Sequence, residues 1–171
     1  MTTTSQVPAV IDYLVTACQQ SAALGASTTA PVIVVDGPPV TSDTFGDPLH
    51  LYIGGVPGSD EATAEADQNW PVMDNARTRD ENGVITCTAD AWSGSTVMQT
   101  VRASCASIVA AVELLLRGTP RAGGPGDASM GGLVMWSGVA GPYSWTQRQT
   151  TQGAGCSCSF RITYRARLTT S

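Results

Sequence analysis

The run from Cys156 to Leu168 constrains this chain more than any other stretch. Cys156, Cys158, Phe160, Ile162, Tyr164, Ala166 and Leu168 alternate with Ser157, Ser159, Arg161, Thr163, Arg165 and Arg167. Successive side chains of a strand point to opposite faces, so this period of two predicts a long strand in a sheet. One face of that sheet must lie on a core, and the other must be wet or touch a partner. A sheet with one apolar face needs a cover, and two helical stripes supply it.

The first stripe is Val7, Val10, Ile11, Leu14, Val15 and Cys18, at three- and four-residue spacings. It predicts a helix from about Pro8 to Leu24. Proline suits the first turn, where its missing N–H has no partner anyway, and Gly25 is a natural stop. The second stripe is Val97, Val101, Cys105, Ile108, Val112 and Leu115, capped by Ser95 or Thr96 and ended by Gly118 and Pro120. Ala103, Ala106, Ser107 and Ala110 on its other side are small enough for a neighbour to come close.

Val32–Asp36, Leu49–Ile53 and Val84–Trp92 read as further strands, and Trp70–Met73 as a short edge strand because Pro71 cannot donate to a ladder. Leu133–Trp136 and Tyr143–Trp145 read as a hairpin about Ser137–Pro142. Gly58–Asp67 reads as a polar, acidic loop, Arg77–Gly83 as a charged turn, and Gly118–Asp127 and Gly153–Gly155 as loops. The order helix, strands, helix, strands predicts an α+β fold: two helices packed on one face of a mostly antiparallel sheet. The last strand should be internal or pair with the strand of the 130s. With no repeat and no low-complexity linker, residues 1–171 are expected to form a single domain.

Composition narrows the function. The chain is 42% apolar and only 13% charged, which is the reverse of a disordered chain and leaves much surface neither charged nor strongly solvated. Such a surface suits a subunit covered by neighbours. The nine basic residues are all arginine. Residues 1–100 carry a net charge of −10 and residues 101–171 a net charge of +5. This asymmetry suits head-to-tail contacts between identical subunits, and equally pairing of the two halves within one chain. An acidic chain of pI near 4.6 is repelled by phosphate, which argues against nucleic-acid binding. Arg161, Arg165 and Arg167 form the only basic stripe, expected to pair with carboxylates of the chain or of a neighbour. Met1–Gln6 has no basic residue and leads into no long apolar run, and no stretch reaches a membrane span, so the chain is expected to stay in a cytoplasm.

Chemistry finds little purchase. His50, the single histidine, alternates with Leu49 and Leu51 and is expected on a solvated strand face. No G-x-S-x-G elbow is present, and no phosphate-binding loop is possible without lysine. Asp60, Glu61, Glu65 and Asp67 lack the spacing of a calcium loop. The five cysteines are odd in number and sit on apolar faces, so they read as buried free thiols. A non-enzymatic protein with no cofactor and no metal is the expectation.

The layout resembles the tail terminator family of long-tailed phages, over nearly the full length. The similar features are the Val7–Leu14 helix opening, the Val32–Asp36 and Leu49–Gly55 strands, the Val84–Trp92 strand leading into the second helix, and the closing Phe160–Leu168 strand. The resemblance rests on pattern and order, and is strongest to versions from phages of actinobacteria. It implies a hexameric ring of copies of this chain at the head-proximal end of the tail, assembled in the host cytoplasm and carried in the virion. One face of the ring would bind the tail tube protein and the other the neck or connector protein, with DNA passing through without specific binding. On that picture Arg161, Arg165 and Arg167 are expected at the subunit interface. They would meet carboxylates near Asp60–Asp67 or Asp74–Glu81 of the next subunit. Asp60, Glu61, Glu65 and Asp67, or the turn at Asp80 and Glu81, are expected to line the channel.

Overall fold

A computed structural model describes residues 4–38, 49–58, 62–70, 78–117 and 126–169. The chain runs α1 (Val7–Gln20), β1 (Ile33–Asp36), β2 (Leu49–Ile53), β3 (Ala64–Asn69), β4 (Thr78–Ser93), α2 (Met98–Leu115), β5 (Trp136–Thr150) and β6 (Gly153–Thr169). The fold is α+β, with both helices on one face of a six-stranded sheet. Its strand order is β1-β2-β4-β6-β5, and β3 also pairs with β4. Only β1 and β2 run parallel; every other pairing is antiparallel.

The long strand read from Cys156–Leu168 is β6, and it is internal, with β4 on one side and β5 on the other. It begins at Gly153, so Gly153–Gly155 is strand rather than loop: Gly153 pairs with Thr150, Ala154 with Ser93 and Gln149, and Gly155 with Trp92 and Arg148, and all three are buried. Its even-numbered residues enter the core, with Phe160 and Ile162 each 1% exposed. Opposite them on β4 stand Ile85, Cys87, Ala89 and Ala91, all buried.

The α1 stripe buries Val10, Leu14 and Cys18, and the α2 stripe buries Val101, Cys105, Ile108, Val109 and Val112. Helix α1 ends at Gln20, earlier than the expected Leu24, because Ser21–Ala26 folds into turns whose N–H groups return to Cys18 and Ser21. Helix α2 starts without a side-chain cap; the Ser95 hydroxyl instead accepts the Val97 N–H. Met98–Leu115 is apolar enough to cross a membrane by length and composition, but its apolar stripe lies against β4 and β6 as a core helix does. Its outer face, including Ala103, Ala106, Ser107 and Ala110, is exposed.

Two expectations about acidic segments change. Of the expected Arg77–Gly83 turn, Arg77 lies outside the described residues and Thr78–Gly83 is the start of β4, so Asp80 and Glu81 lie in the middle of a sheet, 2% and 0% exposed. Part of the supposed acidic loop is β3, with Glu65 and Asp67 on it, while Asp60 and Glu61 lie outside the described residues. β2 and β3 share one edge of β4 in series: β2 takes Cys87–Ala91 and β3 takes Asp80–Ile85. Sequence patterning misses β3 because Ala-Glu-Ala-Asp-Gln-Asn holds no β-branched or aromatic residue; the edge of β4 imposes the strand. The expected Trp70–Met73 strand is not formed at Trp70, and 71–73 lie outside the described residues.

The expected hairpin at Leu133–Trp145 is also corrected. Trp136–Thr150 is one strand, interrupted by a register shift between Ala140 and Ser144. Gly141 and Pro142 sit in that shift, where proline cannot donate to the ladder, so a strand irregularity carries the signature of a turn. The true hairpin turns at Thr151–Gln152, between β5 and β6.

Candidate interaction surface

Among the described residues, the face of the sheet away from the helices carries no helix of its own. Cross-strand register decides what stands on it. Odd-numbered residues of β6 face outward, so Arg161, Arg165 and Arg167 do share one face, opposite Thr86, Asn82 and Asp80 of β4. The structure then separates the three. Arg167 donates from Nε to Asp80 Oδ1 at 2.8 Å and from Nη2 to Oδ2 at 3.2 Å. Arg165 donates from Nη2 to Oδ2 at 2.8 Å. The two-armed bond from Arg167 and then the bond from Arg165 hold the Asp80 carboxyl down at about 2. The carboxylate partner of the stripe is thus in the same chain, and two of its three arginines already have a counter-charge.

Arg161 differs. Its side chain is exposed and forms no ion pair with a carboxylate among the described residues. It stands at a hollow of about 280 Å³ walled by the hydroxyl-bearing Thr86, Ser144 and Ser159 and by Pro142 of the β5 irregularity. A smaller hollow of about 30 Å³ is lined by both Arg161 and Glu65. Glu65 and Asp67 are exposed and lie opposite Val84 and Asn82, on the same open face as the arginines.

On the core side, Glu81 is fully buried and saturated with donors. Tyr164 donates its hydroxyl at 2.8 Å, Gln68 its side-chain amide at 2.6 Å, and Gln6 its backbone N–H at 2.9 Å. Burial pushes this carboxyl up, and the bonds from Gln68, Gln6 and Tyr164 outweigh it, leaving the group below its ordinary value. Glu81 therefore fastens the entry of α1, strand β3 and strand β6 together; it faces no channel. Gly83 makes room for this arrangement, because a Cβ there would run into the Tyr164 ring.

The open face also brings His50, Asp90 and Ser157 side by side across β2, β4 and β6, which the sequence does not reveal. Their order does not activate a nucleophile: the Ser157 hydroxyl donates to the central Asp90, whereas activation needs the imidazole beside the hydroxyl. His50 is not solvated as expected; it is 4% exposed and its ring stacks on Tyr52 at 5.7 Å. All five thiols are free and buried, and burial pushes Cys18 and Cys87 up to about 12 and Cys158 to about 11. Among the described residues no group of acidic, histidine and cysteine side chains is placed to hold a metal.

The remaining candidate is the edge formed by β5. Among the described residues its far side has no partner strand, and residues 141–150 are exposed throughout. Of the eight large hydrophobic residues exposed among the described residues, Met135, Trp136, Tyr143 and Trp145 belong to this edge. A long unpaired strand with exposed aromatic residues is a template for adding another chain, and aromatic residues are enriched where such contacts form. No protein-family model matches the chain, and no curated protein matches it.

Proposed function

We propose that this chain is a structural virion subunit that assembles head to tail into a ring, caps the phage tail tube and joins the tail to the neck. The observation that carries the reading is the 15-residue edge strand β5, unpaired along one side among the described residues and holding three of the eight exposed large hydrophobic residues, with a fourth, Met135, just before it. On this reading its complement is the opposite edge of the next copy. The opposite side of the sheet ends in the short strands β1 and β3, so a contact from β5 to that side is heterologous and repeats. A repeat that closes gives a ring, and the resemblance to tail terminators makes six copies the expected number. Strand sense favours the same contact: β5 runs with β4, and β3 runs against it, so successive copies meet antiparallel. On this reading the protein works by contact alone, with the tube protein below, the neck protein above, and DNA passing without specific binding.

Native mass spectrometry and electron microscopy of the purified chain test the reading, together with its addition to polymerising tail tube protein. A discrete ring that halts tube growth is the expected outcome. Open-ended filaments of the chain alone would make it a tube subunit, and a monomer at every concentration would remove the ring.

A further inference from the structure

Among the three arginines of the open face, only Arg161 has no described carboxylate, because Asp80 is shared by Arg165 and Arg167. Arg161 also lines a hollow that reaches β5 at Pro142 and Ser144. The residue beside it on β5 is Ala140, too small to block a long side chain, and the next three residues leave the ladder. The hollow there is lined by the hydroxyl-bearing Thr86, Ser144 and Ser159, which can donate to a carboxylate, together with apolar residues that include Pro142 and Phe160, and Arg161 is its one charged group. Across β4, β3 presents Glu65 and Asp67 on the same face, both exposed, with no arginine on that strand; Glu65 borders the small hollow beside Arg161 within the chain but forms no ion pair with it.

We propose that Arg161 is a socket for a carboxylate of a second copy of this chain, supplied by Glu65 or Asp67 of the β3 edge that docks against β5. The proposal rests on the ring reading above and names its contact. Adjacent strands lie about 4.8 Å apart, so with β5 between them Arg161 and the incoming β3 are about 10 Å apart at the backbone, a span two long side chains cover together. Both groups stay on one face across the junction because the open faces of the two copies are continuous. The charges are complementary: β5 carries Arg148 and no carboxylate, whereas β3 carries two carboxylates and no cation. Arg165 and Arg167 hold β4 to β6 within a subunit, and Arg161 reads the neighbour. The acidic residues of β3 thereby have an edge role in place of the channel role that their sequence suggested.

Charge exchange between two separate chains tests this. Arg161→Glu should raise the concentration at half-assembly by about tenfold or more, since like charges then meet at every junction. Glu65→Arg combined with Asp67→Arg should do the same. Mixed in equal amounts, the two variants should form rings again, because an alternating ring places an acid against an arginine at every contact. Arg161→Gln, which keeps length and polarity, should weaken assembly less than Arg161→Glu. Circular dichroism of each variant alone should match the unaltered chain. Rings of Arg161→Glu that assemble normally, or a mixture that stays unassembled, overturn the socket while leaving the ring itself intact. An unaltered chain that is monomeric at all concentrations overturns the ring, and the socket with it.

Discussion

Asp80 and Glu81 are neighbours in sequence and do opposite work because consecutive residues of a strand face opposite ways. Asp80 is on the open face, where Arg167 and Arg165 lower its pKa to about 2 from the ordinary value near 3.9. A carboxyl lowered by folding contributes stability above its unfolded pKa and loses it as pH falls toward the folded one. Asp80→Asn should therefore lower the denaturation midpoint at pH 6, and the gap to the unaltered chain should close between about pH 4 and pH 2. An unchanging gap across that range would mean that the clamp is not what Asp80 contributes. Glu81 follows the same sign on the core side, and the sequence hid both roles for one reason. Arg-Thr-Arg-Asp-Glu-Asn-Gly looks like a turn by composition, and pairing with the end of β6 on one side and β3 on the other keeps its last six residues extended.

At the scale of elements, legibility followed periodicity. β6 and both helical stripes could be read because their apolar residues keep one spacing, and all three pack against the core, except that Val97, expected to open the α2 stripe, precedes the helix and is exposed. β5 could not, because Gly138, Gly141 and Pro142 break its pattern and its exposed residues have no core to face. β3 could not, because its strand character comes from a neighbour. The same division applies to the interaction surface: period two placed three arginines on one face, but which of them are already paired depended on Asp80, which had been read as turn. The core stripe allows a direct test. Ile108 is 3% exposed on α2, so Ile108→Ala should cost about 2–5 kcal/mol in a denaturant titration. A loss below about half a kcal/mol would place that face outside the core.

The whole molecule is a sheet with one face sealed by helices and one long edge left open. Its five thiols are all on the sealed side or within the sheet, and burial raises those whose values are shifted. A thiol reagent at pH 8 should therefore label none of them quickly in the folded chain, and all five on denaturation. One rapidly labelled thiol in the native protein would show local opening at that residue. Tryptophan is distributed the other way. Trp70, Trp136 and Trp145 are 51%, 53% and 44% exposed, Trp92 is half-buried, and the buried aromatic residues are Tyr52, Phe160 and Tyr164. The ultraviolet emission of this protein thus comes from its rims. It should be red-shifted in the isolated chain, move to the blue when a neighbour covers β5, and report little of the core's own melting, so that fluorescence here is a gauge of company kept and calorimetry the gauge of folding.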